Sequence, residues 1–320
     1  MSGGIEIPVR VVEIEQATAT VKRFRFAPVS GEPLPPFSSG AHVVVLMPAA
    51  DRTIRNAYSL IDRAEDGSSY RIGVLRTPQS RGGSAFMHEQ VTVGTELKIT
   101  MPVNLFPLVH AGRKHLLIAG GIGITPIFAM AEELRRTDAS YEIHYAMRNT
   151  SSGAFVDELR ARHGDKLKLY RDDFQETLAV DAILPNQPLG AHLYVCGPAG
   201  MIEAILEGGR EAGWPEENLH SERFQAPPTG EPFSVRLAKA GIACEVRGDQ
   251  SLLEALEQAG VDAPFLCRGG ACGQCEAAVI EADGELVHND HYLTEADRAS
   301  GAKIMLCVSR LKGRELVLDL

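Results

Sequence analysis

Apolar positions along this chain follow three rhythms in turn. Over residues 7–108 they alternate with polar ones: Phe24 and Phe26 are interleaved with Arg23 and Arg25, so the two rings share one face of an expected strand. Residues 43–46, 70–75 and 97–100 are further β-rich runs, and the Pro-rich stretch 32–36 punctuates them. Short strands at this spacing predict an antiparallel barrel. From residue 115 to about 224 the rhythm changes. The apolar runs 115–119, 141–147, 167–170 and 192–196 read as buried strands, with a helical pattern at 127–136 after the first. Strand, helix, strand in succession predicts an α/β fold with a parallel sheet and right-handed crossovers.

The third rhythm begins after a linker-like stretch, residues 225–232, which extends to at most about 26–29 Å. Such a tether holds the C-terminal segment at an effective concentration on the order of millimolar. Residues 233–237 and 244–246 suggest a strand pair. Ser251 and Glu254 form a capping-box signature for a short helix with Leu252, Leu253 and Leu256 inward and Gly260 at its end. This predicts a small α+β domain. The expected organisation is a barrel over 1–110, an α/β domain over 111–226, a linker at 227–232 and the α+β domain over 233–320.

Composition narrows the function classes. A formal net charge of −10 argues against nucleic acid, which requires clustered Lys and Arg. No charged n-region and apolar h-region open the chain, so no signal peptide is expected, and the apolar run 116–131 is broken by Gly120, Gly121, Gly123 and Pro126, so no membrane span is expected. A cytoplasmic location is expected.

Four of the six cysteines carry the sharpest signal. Cys267, Cys272 and Cys275 stand at C-x4-C-x2-C, with Cys307 more distant, the plant-type ligation pattern for a [2Fe–2S] cluster. Gly269, Gly270 and Gly273 let the loop curl and aim N–H groups at sulfur. Structural zinc normally shows paired C-x2-C knuckles, and disulfides suit small secreted scaffolds. Neither description matches. Cys196 and Cys244 remain, consistent with a reducing compartment. His288 and His291 lack a matching ligand partner and read as solvent-exposed.

Other stretches suggest nucleotide chemistry. Arg55, Asn56, Tyr58 and Ser59 put a cation, an aromatic ring and a hydroxyl together, which suits a flat anionic cofactor. Arg81, Gly82, Gly83 and Ser84 precede a helix-compatible stretch, an arrangement able to hold a phosphate or simply a turn capped by Ser84. Gly120, Gly121, Gly123, Thr125 and Pro126 follow one expected strand; Cys196, Gly197, Pro198, Gly200 and Met201 follow another. Glycines at strand ends of a parallel sheet admit a pyrophosphate, though tight packing alone also explains them.

Taken in order, these motifs resemble the phthalate dioxygenase reductase family, which includes vanillate O-demethylase reductases, over essentially the whole chain. The resemblance implies a flavin barrel, a nicotinamide domain and a β-grasp plant-type ferredoxin domain. It implies FMN held by Tyr58, Ser59 and Val74 at the isoalloxazine and by Arg55, Arg81, Gly82, Gly83 and Ser84 at the phosphate, with Phe224 near the flavin. Relatives usually carry arginine two residues before the tyrosine, where this chain has Asn56; Arg55 is expected to substitute. The two glycine turns would bind NADH, with Thr125 and Cys196 near the nicotinamide, and Ser59, Thr125 and Cys196 form the expected catalytic group. Arg148 stands where an acidic residue would have discouraged a 2′-phosphate. The implied activity is electron transfer from NADH through FMN and the [2Fe–2S] cluster to a Rieske-type oxygenase. No His-rich iron site with a carboxylate is evident, which leaves oxygen activation to the partner. A diiron or haem monooxygenase as the partner, and a redox-sensing module, are the alternatives.

Overall fold

The computed structural model describes residues 5–49, 52–78, 81–225 and 227–320; Ala226, at the expected end of the α/β domain, lies outside them. The chain falls into two compact units. One comprises Ile7–Met47 and Tyr58–Arg223, the other Met1–Glu6, Pro48–Ala57 and Phe224–Leu320.

The first unit holds most of the antiparallel barrel, the start of its fourth strand through Ala57 being grouped with the second unit. Its strands are β1 (Glu6–Gln16), β2 (Val21–Pro28), β3 (Ala41–Pro48), β4 (Thr53–Arg63), β5 (Tyr70–Leu75) and β6 (Glu96–Thr100), with the short β7 (Val103–Asn104) appended. The order β4-β5-β2-β1-β6-β3 closes by pairing β3 with β4, which leaves no open edge in the ring. Phe24 and Phe26 are both fully buried, as their alternation with arginine predicts. Between β5 and β6 lies α1 (Gly83–Glu89).

The same unit contains a five-stranded parallel sheet. Its strands are β8 (Lys114–Gly120), β9 (Tyr141–Met147), β10 (Leu167–Arg171), β11 (Ala191–Cys196) and β12 (Leu219–Glu222), in the order β10-β9-β8-β11-β12. Helices α2 (Ile124–Arg136), α3 (Val156–His163), α4 (Val180–Ile183) and α5 (Ala199–Glu211) make the crossovers. Val21, Ile61, Phe106 and Leu108 from the barrel segment join Leu117, Ile127, Phe128 and Tyr145 in a single core. Barrel and parallel sheet are therefore packed as one body.

In the second unit β13 (Phe233–Leu237), β14 (Ile242–Val246), β15 (Glu276–Val287), β16 (Lys303–Met305) and β17 (Arg310–Leu318) form a sheet in the order β14-β13-β17-β15-β16. The expected helix is α6 (Leu252–Gln258). Its capping box is complete: Glu254 N–H donates to Ser251 Oγ at 3.1 Å and Ser251 N–H to Glu254 Oε2 at 2.8 Å. Leu252, Leu253 and Leu256 are fully buried, and Gly260 ends the turn at φ 79°. A last helix, α7 (Glu295–Ser300), precedes β16.

Candidate functional site

The parallel sheet brings its two glycine turns together. β8 and β11 are neighbours in parallel register, with Cys196 beside Ala119, so both strands end on the same edge. The turns interlock. A Cβ on Gly123 would lie 2.2 Å from Cys196 O, and one on Gly120 would meet Pro198 and Met201 at 2.6 and 2.7 Å. Glycine is required there by space. Pro126 lies in the first turn of α2, which starts at Ile124 rather than at 127, and Thr125 Oγ1 donates to Ile122 O at 3.1 Å. Thr125 Cγ2 would lie 2.9 Å from a Cβ on Gly73, the neighbour of Val74, so the start of α2 packs directly on β5 of the barrel. Gly121 has open space around it at φ 54°, and Gly197 lies against Gly120.

The edge between β11 and β12 adds a residue that sequence reasoning missed. Glu222 pairs in register with Cys196, is deeply enclosed, and lies close to Ser59 of β4. Burial pushes its carboxyl up to about 8, against the smaller opposing effect of Ser59, so it is largely protonated at neutral pH. Neither Ser59 Oγ nor Glu222 Oε2 makes a hydrogen bond within the protein, so both keep unused polar capacity. Cys196 is fully buried, and burial raises its thiol well above the usual range. Ser59, Cys196 and Glu222 thus make a dry, largely neutral cluster suited to an uncharged conjugated ring system. The signal for Glu222 was faint: Leu219-His220-Ser221-Glu222 is a short, mostly polar run in which nothing marks the carboxylate as buried.

On the barrel, Gly82 caps α1 in the left-handed region at φ 109°, which a side chain would resist. The cap is this glycine and not Ser84, whose Oγ instead accepts Thr77 N–H at 3.1 Å. The first turn carries no acidic side chain, and Arg81 precedes it. Val74 is fully buried and its carbonyl accepts His88 Nε2–H at 2.8 Å, which ties α1 to β5. Tyr58 and Ser59 lie on β4, Tyr58 half-buried and Ser59 buried. Arg148 is exposed just beyond β9, while Asn149 caps the following turn through Oδ1. Phe224, two residues after β12 ends, is 47% exposed.

Arg55 and Asn56 open β4 ahead of Tyr58. Side chains alternate across a strand, so Asn56 shares Tyr58's side and Arg55 takes the other. Arg55 Nη1 lies 3.6 Å from Glu257 Oε2 and donates to Thr53 O at 3.4 Å. Arg55 thus pairs with a carboxylate on α6.

In the second unit the four expected cysteines converge. All are free thiols, and three are buried while Cys272 is partly accessible. Cys267 is hydrogen-bonded by Cys272 and Cys307, which together with the N–H groups of Gly269 and Ala271 drives it far below the usual thiol range. Cys275 is lowered in turn, chiefly by Cys307. Gly269 N–H lies 3.3 Å from Cys267 Sγ. Four thiols linked through Cys267 and Cys307 and lined by backbone donors fit a dinuclear cluster that would take two thiolates per iron. Among the described residues no group of three His, Cys, Asp or Glu side chains is arranged about a single metal ion.

The loop's curl depends on Gly270 and Gly273, at φ 75° and 74°; Cβ atoms there would strike Val308 and the Tyr292 ring. Gly269 has no such requirement, and Arg268 holds the third left-handed position at φ 52°. His291 is exposed as expected, but His288 is not. Its side chain is only 8% exposed, 3.8 Å from the buried carboxylate of Asp290, because the 288–293 loop folds back onto the cysteine loop through His291 N–H and Gly270 O.

Comparison with known proteins agrees with this assembly. Residues 235–312 match the 2Fe-2S iron-sulfur cluster binding domain, and residues 101–219 match the dimethylamine monooxygenase subunit DmmA-like N-terminal domain. The carnitine monooxygenase reductase subunit of Acinetobacter baumannii is 43% identical over 98% of both chains. The heme-dependent oxidative N-demethylase beta subunit of Ectopseudomonas mendocina is 43% identical over 98% of this chain and 99% of its own. The solved structure of phthalate dioxygenase reductase, described as a modular structure for electron transfer from pyridine nucleotides to [2Fe-2S], superposes with a TM-score of 0.89 at 32% identity. It covers 99% of this chain and 98% of that one. The chain therefore belongs to the phthalate dioxygenase reductase family, the electron-transferring reductase components of oxygenase systems that work with NADH, FMN and a [2Fe–2S] cluster.

Proposed function

We propose that this reductase serves a Rieske-type oxygenase, drawing electrons from NADH. The observation that carries the reading is the presence, in one chain, of a cysteine loop lined by N–H donors and a dry Ser59–Cys196–Glu222 edge beside glycine turns. FMN, when bound, supplies the exchange between a two-electron donor and a one-electron carrier. The residues do the positioning. Tyr58 and Ser59 orient the flavin ring from β4, and Arg81 with the backbone of Gly82, Gly83 and Ser84 holds its phosphate. Phe224 would be near the flavin by resemblance, and the turns of Gly120 to Thr125 and of Cys196 to Met201 would receive the pyrophosphate and nicotinamide. Glu222 keeps a proton beside Ser59 at neutral pH, so no buried negative charge opposes the delivery of electrons there. Barrel, nicotinamide-binding and ferredoxin parts follow the division 1–110, 111–226 and 233–320.

Six free cysteines and the lack, among the described residues, of any helix long and apolar enough to cross a membrane support a cytoplasmic site of action. The acidic balance supports a protein partner over nucleic acid. A haem oxygenase as partner has one observation in its favour, the haem-dependent N-demethylase subunit at 43% identity. Reconstitution decides. Product formation on adding a Rieske oxygenase, with none on adding a haem N-demethylase subunit, upholds the proposal, and the reverse pattern transfers it. Steady-state rates should favour NADH over NADPH; equal kcat/KM would mean that the exposed Arg148 accepts the 2′-phosphate.

A further inference from the structure

Arg52, just before β4, and Arg55, near its start, pair with acidic residues flanking and ending α6. Arg52 Nη1 lies 2.7 Å from Asp249 Oδ2, just before the helix, and Arg55 Nη1 lies 3.6 Å from Glu257 Oε2, in its last turn. Glu257 has a second and closer partner. Arg268, the residue directly after Cys267, grips it with both guanidinium nitrogens, Nη1 at 3.1 Å from Oε2 and Nη2 against Oε1. The Arg268 side chain is 93% buried and its guanidinium lies 3.9 Å over the Phe265 ring. Its backbone occupies the left-handed region, which arginine does not favour, so the side-chain anchor holds the loop in a shape it would otherwise leave.

We infer that Glu257 is a positioning residue for the cluster loop, and that Arg55 acts through it on the cluster and not on the flavin phosphate. Within this unit one carboxylate joins Arg55, in the segment Pro48–Ala57, to the residue beside the first cluster ligand. Two arginines on one carboxylate leave it with no net negative charge to offset, and a bidentate guanidinium fixes direction as well as distance. The inference rests on the proposed passage of electrons from flavin to cluster. The step served moves one electron, oxidising the donor and reducing the acceptor by one, with no bond made or broken at Glu257.

The test uses full-length protein loaded with FMN and the cluster, mixed anaerobically with NADH while flavin and cluster absorbance are followed separately. Glu257→Gln should leave flavin reduction within about twofold of the parent and slow cluster reduction by about tenfold or more. Glu257→Asp, which keeps the charge, should recover part of the loss. Arg55→Gln should slow the same phase, retain FMN, and add little to Glu257→Gln in the double variant. A merely structural role would lower iron content or thermal stability without separating the two phases. The inference is overturned if Glu257→Gln with a full cluster reduces it at the parental rate, or if Arg55→Gln sheds FMN as Arg81→Gln does. Should the parent itself show no NADH-driven cluster reduction, the electron-transfer reading fails and the latch fails with it.

Discussion

Cys272 is the most accessible of the four clustered thiols, yet it is hydrogen-bonded to Cys267 within the loop. Cys272→Ser should remove the visible and EPR signature of the cluster while NADH still bleaches the flavin, because the dry edge lies in the other unit. Loss of both signals would point to a common collapse of the fold. Glu222 makes a second prediction. Its folded value of about 8 exceeds its ordinary 4.5, so between these pH values the native protein holds a proton that the unfolded chain releases. The native state then binds more protons than the unfolded one, and stability falls as pH rises through that window, by up to about 1.4 kcal/mol per pH unit. Below it and above it the contribution is flat. Glu222→Gln, which mimics the protonated form, should abolish the fall in urea midpoint between about pH 5 and about pH 8. A parental slope in the variant would assign the proton elsewhere. The cysteines were legible because their chemistry sets their spacing. Glu222 and His288 were not, since their environments are made by segments far away in the chain.

At the scale of elements, the two glycine turns behave differently. In Gly123→Ala the added methyl would sit 2.2 Å from Cys196 O, so the turn must move, and NADH-driven flavin reduction should fall by about tenfold or more. Gly200, inside α5, has nothing within 4 Å of an added Cβ. Gly200→Ala should be tolerated and stabilise by roughly 0.5–1 kcal/mol, since alanine is the better helix former. A rate loss at Gly200 equal to that at Gly123 would show the turn to be sensitive in general and not sterically closed at one point. The run Ile118–Ala119–Gly120 was legible as a strand and turn, and the α6 capping box as a helix start, because each signal is local. β12 was missed. It is four residues long with a polar majority, and its strand identity comes from lying beside β11.

At the scale of the molecule, local periodicity separates barrel from parallel sheet, whereas tertiary packing joins them: Phe106 and Leu108 from the barrel segment share a core with α2 and β9. Such joining depends on which faces meet, and no window of sequence reports that. In the ferredoxin part the cysteine motif, α6 and the pair β13–β14 were legible, whereas β15 and β17 carry charged and glycine residues and owe their strand identity to pairing with each other. The central claim is that this one chain accepts electrons in pairs and delivers them singly through an iron–sulfur centre. The most direct measurement is an anaerobic titration of the purified holoprotein with NADH, followed by absorbance and low-temperature EPR. Full reduction should consume about one and a half equivalents of NADH, three electrons for one flavin and one cluster, with a rhombic signal from the reduced cluster at the end point. Reduction complete at about one equivalent, with a cluster that stays silent, would contradict the account.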